Sequence, residues 1–283
     1  MLKNKKKNSK YYVFVAVVFA VLYLVNKADF DFLNSTQTRE TASAEPVFSE
    51  NSTFQPNDSL YFLPTSTTGQ VITHDTYSLS YAEEHEQAEW VAYVLKKEHI
   101  SGGNHKRPYF YQDPKVSTKS AHWNNYKNSG YTRGHLLPAG DRTFSKDAYD
   151  ETFYTSNISP QKYELNTGIW NSLEMRIRNF VRKNGDVYVV TGGILTDNLK
   201  TIGNEKVSVP EYFYKIILFE NAGRYQMLAY LIPHEEEKRK PLTAYTVTTD
   251  SIETLTGIDF FHFLDDKIET DLESKVSHRW FTN

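Results

Sequence analysis

The sequence predicts an α+β domain whose central sheet is largely antiparallel and flanked by helices. Three observations lead there. Five runs bounded by turn residues alternate or carry strong β propensity, at Tyr77–Tyr81, Trp90–Leu95, Val187–Thr191, Tyr212–Phe219 and Tyr225–Ile232, and tyrosine and phenylalanine dominate them. One segment, 166–183, instead places Ile169, Trp170, Leu173, Ile177, Phe180 and Val181 at helical spacing, and Asn184-Gly185 ends it. Strands and helices do not alternate in the regular manner of a parallel sheet. Two further helices are expected near Ser251–Thr256 and Asp265–Val276. With 39% hydrophobic and 14% aromatic residues, the 283-residue chain can bury a sizeable core.

Upstream of that domain, Lys3, Lys5, Lys6, Lys7 and Lys10 directly precede an apolar run from Tyr11 to Val25, closed by Asn26 and Lys27. Residues 1–27 therefore read as a membrane-targeting segment, with the lysines holding the N-terminus in the cytoplasm. The run is shorter than a typical span of about 20 residues, but tyrosines near both ends suit the interface. The one small-x-small triplet, Ala42-Ser43-Ala44, lies far beyond it, so a retained transmembrane anchor is favoured over a cleaved signal. The remainder is then periplasmic or extracellular, tethered to the membrane, or secreted if the segment is cleaved. Residues 28–58, rich in Ser, Thr, Asn and Glu, read as a flexible linker with N-x-S/T triplets at Asn34, Asn51 and Asn57. Residues 59–283 show no repeat and no later linker and read as one domain.

Composition narrows the chemistry. Without cysteine there is no disulfide framework and no thiolate metal site, so a bound metal needs nitrogen or oxygen ligands, which points to a hard cation. Residues 1–27 hold six of the 32 basic residues and none of the 35 acidic ones, which leaves the rest at a net charge of −9. That excludes a protein that coats nucleic acid through bulk charge; DNA or RNA would need a local positive site.

The stretch from Tyr131 to Glu174 supplies such a site. His135 follows Gly134, which allows close backbone approach, and Arg133, which brings a fixed charge; Pro138 stiffens the loop behind. Phosphodiester cleavage needs a base for water, a charge to neutralise the transition state and usually a cation on the leaving oxygen. On a continuous helix Asn166 and Glu174 are about 80° beyond two turns apart and share a broad face, with Trp170 between them. A carboxamide oxygen and a carboxylate suit a magnesium ion that keeps most of its waters. The competing reading makes Asn166 a helix N-cap and Glu174 a solvated charge. Two other motifs carry less: Gly192-Gly193 reads as a turn after a strand, and His234 to Lys240, HEEEKRK, as a solvated loop.

TRGHLLPAGDR, followed by SNISPQ and LNTGIWNSLE, resembles the DNA/RNA non-specific endonucleases of the ββα-metal group, and three motifs in that order and spacing make the resemblance specific. It extends more loosely from about Tyr77 to the C-terminal region. The resemblance implies a ββα-metal nuclease fold in which a strand pair bears His135 and a helix bears the metal ligand. It implies a magnesium-dependent hydrolase, with manganese as a substitute, that cleaves DNA and RNA with little sequence preference and leaves a 5′-phosphate and a 3′-hydroxyl. His135 would be the general base, Asn166 the direct metal ligand, Glu174 the holder of a metal-bound water, and Asn157 part of the site's hydrogen bonding. Arg133 would contact the phosphate or leaving group. KRPYFYQDPKV resembles the family's arginine, aromatic, Asp-Pro segment and makes Arg107 a second phosphate-stabilising arginine. A homodimer is one assembly the resemblance allows. Thr132 stands where the family's usual DRGH has aspartate, which puts fine positioning in question, and Asp141 is either a nearby carboxylate or a plain loop residue. The alternative is a catalytically weak or inactive member of the fold that binds nucleic acid or serves as an envelope interaction protein.

Overall fold

A seven-stranded antiparallel sheet divides the domain into two apolar layers. The structure, a computed structural model, describes residues 62–235 and 240–277. The anchor and linker expected over residues 1–58 lie outside the described residues. Among the described residues no helix is long and apolar enough to cross a membrane.

The sheet is built from β1 (Val71–Thr73), β2 (Ser78–Ala82), β3 (Gln87–Leu95), β6 (Val187–Gly193), β9 (Tyr212–Asn221), β10 (Arg224–Pro233) and β11 (Thr246–Val247), in the spatial order β1-β2-β3-β6-β9-β10-β11. Each of the five runs expected as strands is there. The period of two is plain in β9, where Phe213, Ile217 and Phe219 face one layer and Tyr214, Ile216 and Leu218 the other. Gly192 and Gly193 pair with Tyr214 and Phe213 inside the sheet rather than forming a turn. A Cβ at Gly192 would lie 2.2 Å from the Glu89 carbonyl oxygen, so close strand approach, not turning, requires that glycine.

The four-residue strands β4 (Thr132–His135) and β5 (Ile158–Gln161) form a separate antiparallel pair, and β7 (Lys200–Ile202) and β8 (Val207–Val209) another. Runs this short show no periodicity in a sequence. A short helix, α1 (Lys146–Glu151), lies between β4 and β5, with Ser145 Oγ accepting from the Ala148 amide at its start.

The helix expected over 166–183 begins earlier and is interrupted. One turn, α2 (Tyr163–Leu165), leads into a π-turn over Asn166–Trp170 and then α3 (Asn171–Asn184), which Gly185 ends at φ 114°. Gly168, at φ −97° and ψ −111°, makes the break. Leu173, Ile177, Phe180 and Val181 bury the sheet-facing side of α3, each worth about 1.5–3 kcal/mol. Removing one, as in Leu173→Ala, is expected to cost about 2–5 kcal/mol. The opposite layer is closed by α4 (Thr249–Thr256) and α5 (Asp266–Glu273), with Ile252, Phe260, Phe261 and Leu264 against the sheet.

Candidate active site

The β4–β5 pair and the helix behind it assemble the stretch in which the candidate residues lie. His135 lies opposite Ile158 and Gly134 opposite Ser159. A Cβ at Gly134 would fall 2.1 Å from Gln161 Oε1, so a larger residue there would have to displace the buried Gln161 side chain. β5 continues through Lys162 directly into α2, which sets Asn166 beside β4: its Nδ2 donates to Thr132 Oγ1 at 3.0 Å, and Thr132 Oγ1 donates to the Gln161 carbonyl at 2.8 Å. With its amide nitrogen held, Asn166 has Oδ1 left as an acceptor without a partner among the described residues.

Phe110, a residue the sequence did not single out, gathers the other half of the site. The guanidinium groups of Arg107 and Arg133 sit 5.4 and 5.5 Å from its ring centre, and the His135 ring 5.5 Å away. Phe153 meets the His135 ring edge-on at 4.9 Å and the Arg107 guanidinium at 5.5 Å. The segment bearing Arg107 is brought here by backbone bonds from Tyr111 N to Phe153 O and from Thr155 N to Tyr111 O. Beyond it, buried Asp113 pairs with His74 at 2.8 Å and accepts from Ser156 Oγ at 2.5 Å.

In the β4–β5 pair four polar side-chain atoms are buried with no hydrogen-bond partner: Arg133 Nε, His135 Nε2 and both Nε2 and Oε1 of Gln161. Such atoms are uncommon in folded proteins, and a catalytic role is one reason for them. Burial, helped by the positive charge of Arg107, lowers the His135 pKa to about 3, so the imidazole is neutral across the physiological range. With Nε2 enclosed, Nδ1 is the nitrogen open to solvent.

Asn157 is fully buried and every polar group of its amide is used. Oδ1 accepts from Leu137 N at 2.8 Å, and Nδ2 donates to the carbonyls of Leu137 and Thr152. It clamps the chain that leaves His135 and presents nothing to a ligand.

On the helix, Glu174 is neither solvated nor opposite a cap. Its side chain is 13% exposed and lies 4.0 Å from Arg178 Nη1, which pairs at 2.7 Å with buried Asp141; Tyr93 also donates to Asp141. Asp141 is therefore the partner that aims Arg178, and not a free carboxylate. The N-cap reading of Asn166 also gives way, because the helix starts three residues earlier and Asn166 opens the π-turn. The π-turn absorbs about one residue, which brings Asn166 and Glu174 nearer to a common line than a continuous helix would.

Several supporting residues escaped the sequence reading. Lys215 is fully buried in the middle of β9, its ammonium 4.7 Å from the Trp170 ring centre and donating to Leu136 O at 3.4 Å. Burial lowers its pKa against the pull of Glu174, and burial raises that of Glu174 against the pull of Lys215. A lysine inside YFYKIILF was the available signal. Arg142, the second arginine of the TRGHLLPAGDR motif, is fully buried and donates to the carbonyls of Asp141, Thr76 and Val94, so it braces the loop and is closed to phosphate. His234 corrects the solvated-loop reading. It is 4% exposed, donates from Nδ1 to Pro210 O at 2.6 Å and accepts at Nε2 from the amide of Lys162, where α2 begins. The charged residues that follow it hid this tertiary contact.

A groove of about 620 Å³ lined by His122, Asn124, Lys127, Lys200 and Glu205 opens beside Arg133, whose Nη2 donates to the Trp123 carbonyl. His135 and Asn166 do not line it.

With this geometry, a family comparison becomes decisive: residues 59–267 match the model of the DNA/RNA non-specific endonucleases. The chain belongs to that family. It is 36% identical over 215 residues to the mitochondrial nuclease EXOG of Danio rerio, covering 70% of this chain and 63% of the relative. It is 31% identical over 254 residues to the mitochondrial endonuclease G of Caenorhabditis elegans, covering 83% and 82%. The chain thus spans about three fifths of the EXOG relatives and most of that endonuclease G. A solved chain of the EndoG/EndoGI complex superposes with a TM-score of 0.65 at 31% identity, over 70% of this chain and 88% of that one. The expected α+β fold of the ββα-metal nucleases is the one observed. In this family member the β4–β5 pair and the helix that follows form the ββα unit, and Thr132 takes the place beside Asn166.

Proposed function

We propose that the chain is a metal-dependent endonuclease that hydrolyses phosphodiester bonds of DNA and RNA with little sequence preference. The observation that carries this reading is the meeting of a neutral, partly buried His135 with two arginines at one aromatic ring, beside an Asn166 oxygen without a partner. His135 accepts a proton from the attacking water at Nδ1, and Arg107 and Arg133 neutralise charge gathering on the phosphate. Asn157 keeps His135 in place and acts as a positioning residue. Grip on phosphates with few contacts to base edges gives sugar and sequence tolerance. Tyr109, at 92% exposure between Arg107 and Phe110, offers a face on which a base can stack.

The donor set fits a hard cation: a carboxamide oxygen, a carboxylate, and no sulfur. Asn166 would hold magnesium directly and Glu174 through water; manganese fits the same oxygens. When bound, the ion supplies charge neutralisation at the leaving oxygen. Thr132 replaces an acidic side chain but still fixes the Asn166 amide, which supports a positioning role for that place in the motif. The products would carry 5′-phosphate and 3′-hydroxyl ends.

The purified full chain is expected to nick plasmid and degrade RNA in magnesium and to stop in EDTA. Intact plasmid at micromolar enzyme, or equal cutting by His135→Ala, would defeat the proposal. The basic and apolar N-terminal segment supports a membrane-anchored nuclease working outside the cytoplasm; recovery of the intact chain in the soluble cytoplasmic fraction would contradict that part.

A further inference from the structure

The groove of about 620 Å³ beside Arg133 runs between two loops that are far apart in sequence, 122–129 and 200–205. Hydrogen bonds across it fix its shape. Glu205 Oε2 accepts from the His122 amide at 2.7 Å and from Asn125 Nδ2, and the Glu205 amide donates to Asn125 Oδ1 at 3.2 Å. At Gly203, where φ is 69°, a Cβ would fall 2.1 Å from Oδ1 of buried Asn125, so the walls close on each other with no side chain between them there. These bonds occupy the one carboxylate among the lining residues.

What is left open is cationic and polar. Lys127 and Lys200, both exposed, stand one on each wall, and neither joins an ion pair among the described residues. Lys200 is held in place, its Nζ donating to Tyr131 Oη at 3.2 Å and lying 5.0 Å from the centre of that ring. Asn124, Asn128 and Asn204 add exposed carboxamides, which both donate and accept and so can meet a phosphate oxygen or different base edges.

Both walls also touch the strand that carries the reacting groups. Trp123, between His122 and Asn124, accepts at its carbonyl from Arg133 Nη2 at 3.3 Å and sets its exposed ring 5.5 Å from that guanidinium. Lys200 reaches the same strand from the other side, at Tyr131, two residues before Arg133. The groove therefore begins at an arginine assigned to the phosphate that reacts. Its volume falls within the ~300–1,000 Å³ of sites that enclose a small ligand. Elsewhere the field is unhelpful, because residues 28–283 carry a net charge of −9 and capture needs cations placed along the strand.

We propose that this groove is the track for the nucleotides flanking the phosphate that is cut, with Lys127 and Lys200 gripping neighbouring phosphates and the asparagines meeting bases without selecting among them. The proposal rests on the nuclease reading above and extends it from the reacting phosphate to the rest of the strand. Three cations placed apart, one at the mouth and one on each wall, suit successive phosphates of one strand better than a single detached nucleotide.

The test uses the full chain and a fluorescent single-stranded DNA oligonucleotide in EDTA, where a metal-dependent nuclease leaves its substrate intact. K127Q/K200Q is expected to flatten the plot of log binding constant against log salt by about 1.4, two contacts at about 0.7 each, which is a loss of about 25-fold in affinity at 0.1 M salt. In magnesium the same variant should raise KM for plasmid nicking about tenfold or more, with the deficit absent from kcat. An unchanged salt slope overturns the assignment. So does an equal loss from K97Q/K183Q, which removes two exposed lysines beyond the Leu95–Val187 end of the sheet, because bulk charge would then explain the effect. A fall in kcat with KM unchanged, competition by a 5′-mononucleotide at the oligonucleotide's own concentration, or wild-type nicking without oligonucleotide binding overturns it as well. A wild-type chain that neither binds nor nicks brings down the nuclease reading itself, whereas one that does both, equalled by K127Q/K200Q, brings down only the groove.

Discussion

The two halves of the candidate site are held by different physics. Around His135 the contacts are aromatic: Phe110 and Phe153 flank the imidazole and both arginines, and Arg133 Nε and His135 Nε2 are left without partners. Around Asn166 and Glu174 the contacts are hydrogen bonds and ion pairs, running from Gln161 O through Thr132 to Asn166 and from Tyr93 through Asp141 to Arg178. Rings constrain position while leaving polar valences for a substrate, whereas hydrogen bonds to the Asn166 nitrogen and to Arg178 fix direction. Changes in the first half should therefore remove chemistry and spare stability, and changes in the second should disturb both.

The sharpest test of that contrast is His135→Ala, expected to slow plasmid nicking by about 10²–10⁴-fold. Its Tm should stay within roughly 4 °C of wild type, because no hydrogen bond is lost. A large loss of stability would erase the distinction. Next in size is Asp141→Ala, which strands Arg178 in a largely buried position and should cost about 3–5 kcal/mol in urea unfolding. Nicking should fall as well, since Arg178 is no longer held beside Glu174; wild-type stability would mean that water replaces the carboxylate.

A smaller effect is expected from Thr132→Val, which removes both hydroxyl contacts. The lost orientation of Asn166 should raise the magnesium concentration for half-maximal nicking by about tenfold, equivalent to roughly 1.4 kcal/mol, with Thr132→Ser restoring it. An unchanged metal dependence would show that Asn166 is oriented by other contacts.

The smallest concerns His234, which accepts the Lys162 amide at the start of α2 only when its imidazole is neutral. Burial holds its pKa below the ordinary value, with Lys162 pushing the same way and the Pro210 bond and Glu235 opposing. A depressed folded pKa means that the stabilisation is complete above about pH 6.5 and is lost as the pH falls through the folded value. The Tm gap between wild type and His234→Ala should accordingly narrow from pH 8 to pH 5; a gap that widens would reverse the assigned protonation.

Much of the site was legible in the chain because its residues are close in sequence. Arg133 to His135 and Asn166 to Glu174 lie within 44 residues, and the glycine before His135 signalled the close approach that the Gln161 side chain makes. The long strands were legible from alternation, as in β9. What escaped was non-local: Phe110 under both arginines, His234 from 72 residues beyond Lys162, and the 3–4-residue strands that carry no period of their own.

By itself the sequence determined the α+β class, the order of the long elements and the kinds of group available for phosphodiester chemistry, since propensity, periodicity and side-chain type are local properties. Only the tertiary structure decided which arginine is open and which is buried, that Asn157 clamps rather than contacts, and that Asp141 serves Arg178. Those outcomes depend on burial and on the competition for hydrogen-bond partners, which exist only once distant segments have packed. The π-turn at Gly168 belongs with them, because it is the register between Asn166, facing Thr132, and Trp170, facing the core, that calls for one additional residue in the helix.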